Sequence, residues 1–222
     1  MISSQTIQFL KELKDNNNKT WFDAHRNRYA KAREEVLLLV EHWIAEMSGI
    51  DPTIANLKAS QCLFRINRDV RFSKNKDPYK TNMGAFITPG GKNAGMAGYY
   101  LHIEPGQFFF GAGSYMPESS ALAKIRQEID YNYTTFKAIL EDKNFSLYFK
   151  DLDRDFSLQR APKGFDEDNM AIGYIKLKSF TIIHALDESK VLDNNFMATL
   201  MEMSKASVPF VNFLNTAITD KE

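Results

Sequence analysis

Three runs with strand-like alternation and aromatic content, at 83–88, 99–104 and 107–113, are separated only by segments containing Pro89-Gly90-Gly91 and Pro105-Gly106. A parallel crossover needs a dozen or more residues, so links this short join antiparallel neighbours and make the middle of the chain a meander. Residues 61–67 also alternate, with Cys62, Phe64 and Ile66 on one face and Leu63, Arg65 and Asn67 on the other, which predicts a strand ahead of the meander. The β-rich run at 180–186 predicts a further strand.

Helical spacing flanks this centre on both sides. A first helix starts from a Ser3 or Ser4 cap and ends in the run Asn16, Asn17, Asn18, and a long helix opens at Thr20 and closes at Gly49. Pro117 starts a helix carrying Leu122, Ile125 and Ile129, and 187–205 and 209–219 return to helical spacing. Strands grouped between helices predict an α+β fold with an antiparallel sheet of about four to five strands. No linker or repeat divides the chain, so a single domain over 1–222 is expected, with a helical part at 1–58, a sheet core at 59–115 and a helical and mixed part at 116–222.

With 44% hydrophobic residues and 17 Phe, the chain has material for a large core, which excludes intrinsic disorder. The 28 Lys and Arg balance 28 Asp and Glu, so no global field draws the protein to nucleic acid or to an anionic membrane, and neither partner is expected. Cys62 is the single cysteine and has no internal partner, which fits a reducing compartment and makes the cytoplasm the expected location. The charges at Lys11, Glu12 and Lys14 break any signal-peptide pattern, and no apolar run approaches the ~18 residues of a spanning helix.

Familiar cofactor motifs are missing. Gly111-Ala112-Gly113 lacks a third glycine, since Met116 stands at its place, and Gly90-Gly91-Lys92 continues with Asn93 and not with the hydroxyl residue of a phosphate-binding loop. His25, His42, His102 and His184 form no metal-ligand spacing, so no cofactor and no metal is expected.

Charge concentrates in one place. Arg65, Arg68, Arg71, Lys74, Lys76 and Lys80 face only Asp69 and Asp77 across a connection between predicted strands. Guanidinium forks match carboxylate and phosphate oxygens, and lysines add mobile positive charge, so the segment suits a small anion. Asp69, Tyr79 and Lys80 are the candidates for orienting a ligand or moving a proton. A solvated loop whose arginines pair with Asp69 and Asp77 competes with this reading, and a nucleic-acid face using Phe72 and Tyr79 is a third.

The run Phe64-Arg65-Ile66-Asn67-Arg68-Asp69-Val70-Arg71-Phe72-Ser73, followed by Lys76-Asp77-Pro78-Tyr79-Lys80-Thr81-Asn82, resembles the signature of the DUF2461 family. Similarity continues through Tyr99 to Gly106, Gly111 to Gly113, Pro117-Glu118, Ile125-Arg126, Arg160 to Phe165 and Leu177 to Phe180, nearly the whole chain. Asn75 departs from the family, which often carries an acidic residue there. The family is one of unknown function, so the resemblance implies no catalytic residues. Its polar positions add Arg126, Arg160, Lys163 and Lys178 to the candidate ligand-binding set of Arg65, Arg68, Arg71 and Lys80.

The leading expectation is a basic pocket for a phosphorylated or carboxylated small molecule, with or without turnover. The alternative is an adaptor that recognises an acidic segment of a protein partner on the same surface. Gly111 and Gly113 share a strand face, where missing side chains either admit a ligand or let another element pack closely.

Overall fold

The computed structural model of the chain describes residues 2–220. It opens with helices α1 (Ser4–Asp15), α2 (Lys19–Ala24) and α3 (Arg26–Met47), a 3₁₀ turn at Pro52–Ile54 and a short α4 (Ala59–Cys62). Strands β1 (Met83–Ile87), β2 (Gly98–Ile103) and β3 (Phe108–Ser114) follow, then α5 (Ser119–Tyr131), α6 (Tyr133–Glu141), α7 (Lys143–Tyr148) and α8 (Ile172–Ile175). The chain closes with β4 (Phe180–Leu186), α9 (Glu188–Val191) and α10 (Phe196–Thr219). All four strands pair antiparallel in the order β1-β2-β3-β4, so the fold is α+β as expected.

Tight chemistry makes the first links. Gly106 at φ 84° completes a turn in which Gln107 N–H donates to Glu104 O at 2.9 Å. The return from β3 to β4 is long and carries four helices, yet β4 still pairs directly with β3, Gly111 facing Ile183.

One face of the sheet carries the core. Ala85, Tyr99, Leu101, Phe110, Ala112, Phe180 and Ile182 are all buried, and α10 lies against β3 with α3 beside it. Trp43 of α3 packs 6.1 Å from Phe110, and its indole N–H donates to Ser204 Oγ at 2.9 Å, so the buried ring keeps its polar atom satisfied. Tyr99 donates to the buried Asp51 Oδ2 at 2.9 Å, and burial first and Asp51 second push its phenol far above the ordinary range.

Three expectations need correction. The predicted strand at 61–67 is absent: α4 occupies its start, and only isolated bridges form, at Leu63 with Ala85 and Asn67 with Tyr79. Phe64 N–H reaches Gly84 O at 3.0 Å, after which Lys80 N–H pairs back with Ile66 O, so the segment folds on itself and leaves the sheet edge. The helix expected from Thr20 to Gly49 breaks at His25, whose φ of −110° and ψ of 17° are not helical and whose ring stacks on Trp21 at 4.0 Å. Conversely, α10 runs through Pro209, where two helices were expected to meet; Phe210, Val211 and Leu214 are fully buried beyond it. The burial of that face outweighs the lost backbone bond, which on its own costs about 3 kcal/mol.

Candidate functional site

Among the described residues, no helix packs over the other face of the sheet. Strand periodicity of two points Phe86, Tyr100, His102, Phe109, Thr181 and Ile183 away from α10, and these residues floor a groove of about 690 Å³. Phe64 and Lys80 stand at the β1 side, while Tyr115 to Glu118 and Asp153 stand beyond β3 and β4. Asp153 is held there by its own N–H, which donates to Thr181 O at 2.8 Å.

Glycines shape the floor. Across the ladder Tyr100 faces Phe86 on one side and Gly111 on the other, and the bare Gly111 leaves open the space between Tyr100 and Ile183. A Cβ on Gly84 would lie 2.6 Å from Tyr100 Oη, so the phenol lies across β1 only because position 84 has no side chain. Gly113 serves the opposite purpose. At φ 118° a Cβ there would meet Phe180 O at 2.0 Å and the Phe210 ring at 3.0 Å, a close packing that only glycine permits.

Four polar side chains meet on this floor. Tyr100 Oη lies 2.9 Å and Asn82 Nδ2 3.1 Å from His102 Nδ1, and His102 Nε2 lies 3.0 Å from Glu104 Oε2. Thr81 Oγ1 donates to the other Glu104 oxygen. With the Asn82 amide N–H group turned toward it, Nδ1 is the acceptor, and Nε2 carries the ring proton and donates it to Glu104. The Phe109 ring stacks on His102 at 4.6 Å and fixes the plane of the imidazole. Burial raises the Glu104 carboxyl, but the Thr81 and His102 hydrogen bonds outweigh it and hold Glu104 below the usual range, so it is a carboxylate. Burial, helped by the Glu104 charge, pushes the Tyr100 phenol up to about 12. Tyr100 is therefore a proton donor at neutral pH, and a single imidazole nitrogen has two donors competing for it.

Lys80 supplies the positive charge. Its Nζ sits 5.2 Å from the centre of the Phe64 ring and makes no ion pair or side-chain hydrogen bond among the described residues. Burial, then the nearby Arg65 charge, lowers its pKa. Lys92, also on the groove, spends its ammonium on Gln61 O at 2.7 Å.

The chain belongs to the DUF2461 family. It matches the family described as conserved hypothetical protein (DUF2461) over residues 5–213, a span that includes every groove residue named above. No curated protein matches the chain. No solved structure matches it either.

In this DUF2461 chain the sequence-predicted residues take divergent positions. Lys80 lines the groove and Arg65 stands near enough to act on it. Arg71 instead donates twice to Asp69, from Nε at 3.0 Å and from a terminal nitrogen at 2.6 Å, and lowers the Asp69 carboxyl. Arg68 donates to Asp77 O at 3.3 Å and Ser73 Oγ at 3.4 Å. Arg71 is thus paired within its own loop, and Arg68 also makes its hydrogen bonds there, with its carboxylate contact to Asp77 Oδ2 at 4.0 Å. Tyr79 is buried with its ring stacked on Phe22 at 4.0 Å, and Asn17 clamps its backbone N–H and C=O, which makes it an anchor for the loop.

The four added positions lie outside the groove lining. Arg126 is buried on α5, donates to Leu177 O at 2.9 Å and leaves its Nε without a partner. Arg160, Lys163 and Lys178 are exposed. A second hollow, of about 570 Å³, lies between α1 and α3; there Glu35 accepts from Ser3 and Thr6, Arg28 from α3 donates to Glu12, and Lys31 also lines the wall. Among the described residues, no group of three or more His, Cys, Asp or Glu is placed to hold a metal, and no helix is long and apolar enough to cross a membrane.

The residues that sequence reasoning missed are Tyr100, His102 and Glu104. Their signal was available, since Tyr100 and His102 alternate on β2 and share a face, and Glu104, one residue past its end, continues the same spacing.

Proposed function

We propose that the open face of the sheet binds a small molecule with a flat apolar body and a carboxylate or phosphate group, with Lys80 as the cation that receives the anion. The observation that carries this reading is the Lys80 ammonium, half-buried against Phe64, near Arg65 and without an acidic partner among the described residues. Partial desolvation of an unpaired cation is unfavourable, and an arriving anion relieves it. Phe64, Phe86 and Phe109 provide the apolar walls that small-molecule sites need, with few and convergent polar groups. In this reading Tyr100 donates a hydrogen bond to a ligand oxygen while the Asn82 amide keeps His102 Nδ1 occupied and Glu104 accepts the Nε2 proton, which holds the imidazole in place.

Thermal-shift and calorimetric titrations with benzoate, phenyl phosphate and nucleotides test it. An anion at ~100 times its dissociation constant stabilises the fold by roughly 2.7 kcal/mol, and Lys80→Met removes that gain while Arg71→Ala leaves it. A flat response to every anion, or a response that Lys80→Met does not change, overturns the reading.

A second reading, the adaptor for an acidic protein segment, draws on a different observation. Phe72 is 96% exposed on the 68–78 loop, beside the exposed Arg71, Lys74 and Lys76. Binding of an acidic peptide that is lost in Phe72→Ala and kept in Lys80→Met favours this surface over the groove.

A further inference from the structure

Of the charged groups on the groove, Glu104 is held by Thr81 and His102 and Lys92 by Gln61 O, which leaves the two ends with uncommitted charge of opposite sign. Lys80, with Arg65 near it, marks the β1 side. On the far side, past β3 and β4, stand the carboxylates of Glu118 and Asp153. Neither carboxylate makes an ion pair among the described residues. Glu118 occupies the N-cap position of α5 without using its side chain as a cap, and Asp153 accepts only the backbone N–H of Asp155 at 3.0 Å. Between the two ends the floor is Tyr100, Phe109, Gly111 and Ile183.

We infer that the groove is built for a ligand with an anionic end at Lys80, a cationic end at Glu118 and Asp153, and an apolar stretch between them. Three strand spacings of about 4.8 Å separate β1 from β4, so the charged ends of the ligand stand about 14 Å apart or more. An extended peptide advances at most ~3.6 Å per residue, so a free peptide of about four to six residues has this form, with a terminal carboxylate and a terminal ammonium. Charge complementarity assigns the orientation: the carboxyl terminus lies toward Phe64 and Lys80, the amino terminus toward Glu118. A ligand with only an anionic end leaves the acidic side unanswered, and a second cation near Lys80 is repelled.

This inference rests on the groove being the binding site, and capping chemistry separates the two claims. The probes are the pentapeptide Ala-Phe-Ala-Phe-Ala with free termini, its N-acetyl form and its C-amide form, titrated by calorimetry alongside benzoate and phenyl phosphate. The free peptide binds the wild-type chain, and each cap weakens binding at least about threefold. In the pair Glu118→Gln with Asp153→Asn, N-acetylation has no further effect while benzoate binds as before. In Lys80→Met, amidation has no further effect. Capped peptides that bind as well as the free one overturn the two-ended ligand, as does a free peptide that fails to bind where benzoate or phenyl phosphate succeeds. If no probe binds at all, the groove itself is refuted and this inference falls with it.

Discussion

Tyr99 and Tyr100 are neighbours in β2, yet they face opposite sides of the sheet and live under different rules. Tyr99 is fully buried beneath the helices, with its hydroxyl committed to Asp51. Tyr100 lies on the uncovered face, and its hydroxyl competes with the Asn82 amide for one nitrogen of His102. The whole sheet repeats this contrast. Its inner face is apolar and closed by α10, with the few polar atoms of Trp43, Ser204 and Tyr99 each given a partner. Its outer face keeps a half-buried ammonium, a histidine and a carboxylate beside aromatic rings, and leaves two further carboxylates unpaired at its far end. Unpaired polar groups are costly and rare in a protein interior, Arg126 Nε being an instance here, whereas a binding surface can put them to use. This difference between the faces is the basis of the proposed binding site.

Adjacent phenylalanines provide the widest separation of the two faces. Phe110→Ala empties a fully buried site under α10 and should cost about 3–5 kcal/mol in urea denaturation, whereas Phe109→Ala on the half-buried outer face should cost about 1–2 kcal/mol. Equal losses would show that the outer face is as much a core as the inner one.

The glycines sharpen the contrast with a smaller effect. Gly113→Ala meets backbone atoms at a positive φ and should cost about 2–3 kcal/mol. Gly84→Ala meets only the mobile end of Tyr100, so stability should change by less than about 1 kcal/mol while the Tyr100 to His102 contact is lost. Nitrogen NMR of His102 reads that loss directly, and an unchanged Nδ1 signal in Gly84→Ala would remove Tyr100 from the chain.

The same groups also set the pH dependence. The Tyr100 phenol is pushed up to about 12, above its unfolded value of about 10. Its contribution to stability is therefore complete below about pH 10 and is lost as the pH rises toward 12. Glu104 has the opposite sign, since its carboxyl is held below the ordinary value: its contribution is present at neutral pH and is lost as the pH falls through the folded-state value. Urea midpoints across pH should lose their alkaline slope in part in Tyr100→Phe and their acid slope in part in Glu104→Gln.

Much of the fold was legible because local signals and tertiary packing agreed. The Pro-Gly turn at 105–106 and the period of two at 99–104 suffice for a hairpin, and β2 and β3 form within a residue of the expected bounds. Where they disagreed, burial prevailed. Pro209 signals a helix end, but the fully buried residues on both sides keep α10 continuous. Residues 61–67 alternate like a strand, but the backbone at Ile66 bonds back to Lys80 and not onward to β1. The candidate site shows the same limit. The excess of cations at 65–80 was visible as a sum, yet it could not show that Asp69 would absorb Arg71 while Lys80 turned to Phe64.

By itself, then, the sequence determined the α+β class, the antiparallel meander and the family, because each follows from residue patterns along the chain. Which face α10 covers, which cations are spent within their own loop, and the meeting of Asn82, His102 and Lys80 with Glu118 and Asp153 around one groove were decided only by tertiary structure. Apart from the pairing inside the 68–78 loop, which joins near neighbours, such contacts join residues far apart in sequence, and their geometry is set by how the whole core packs, information that no local pattern carries.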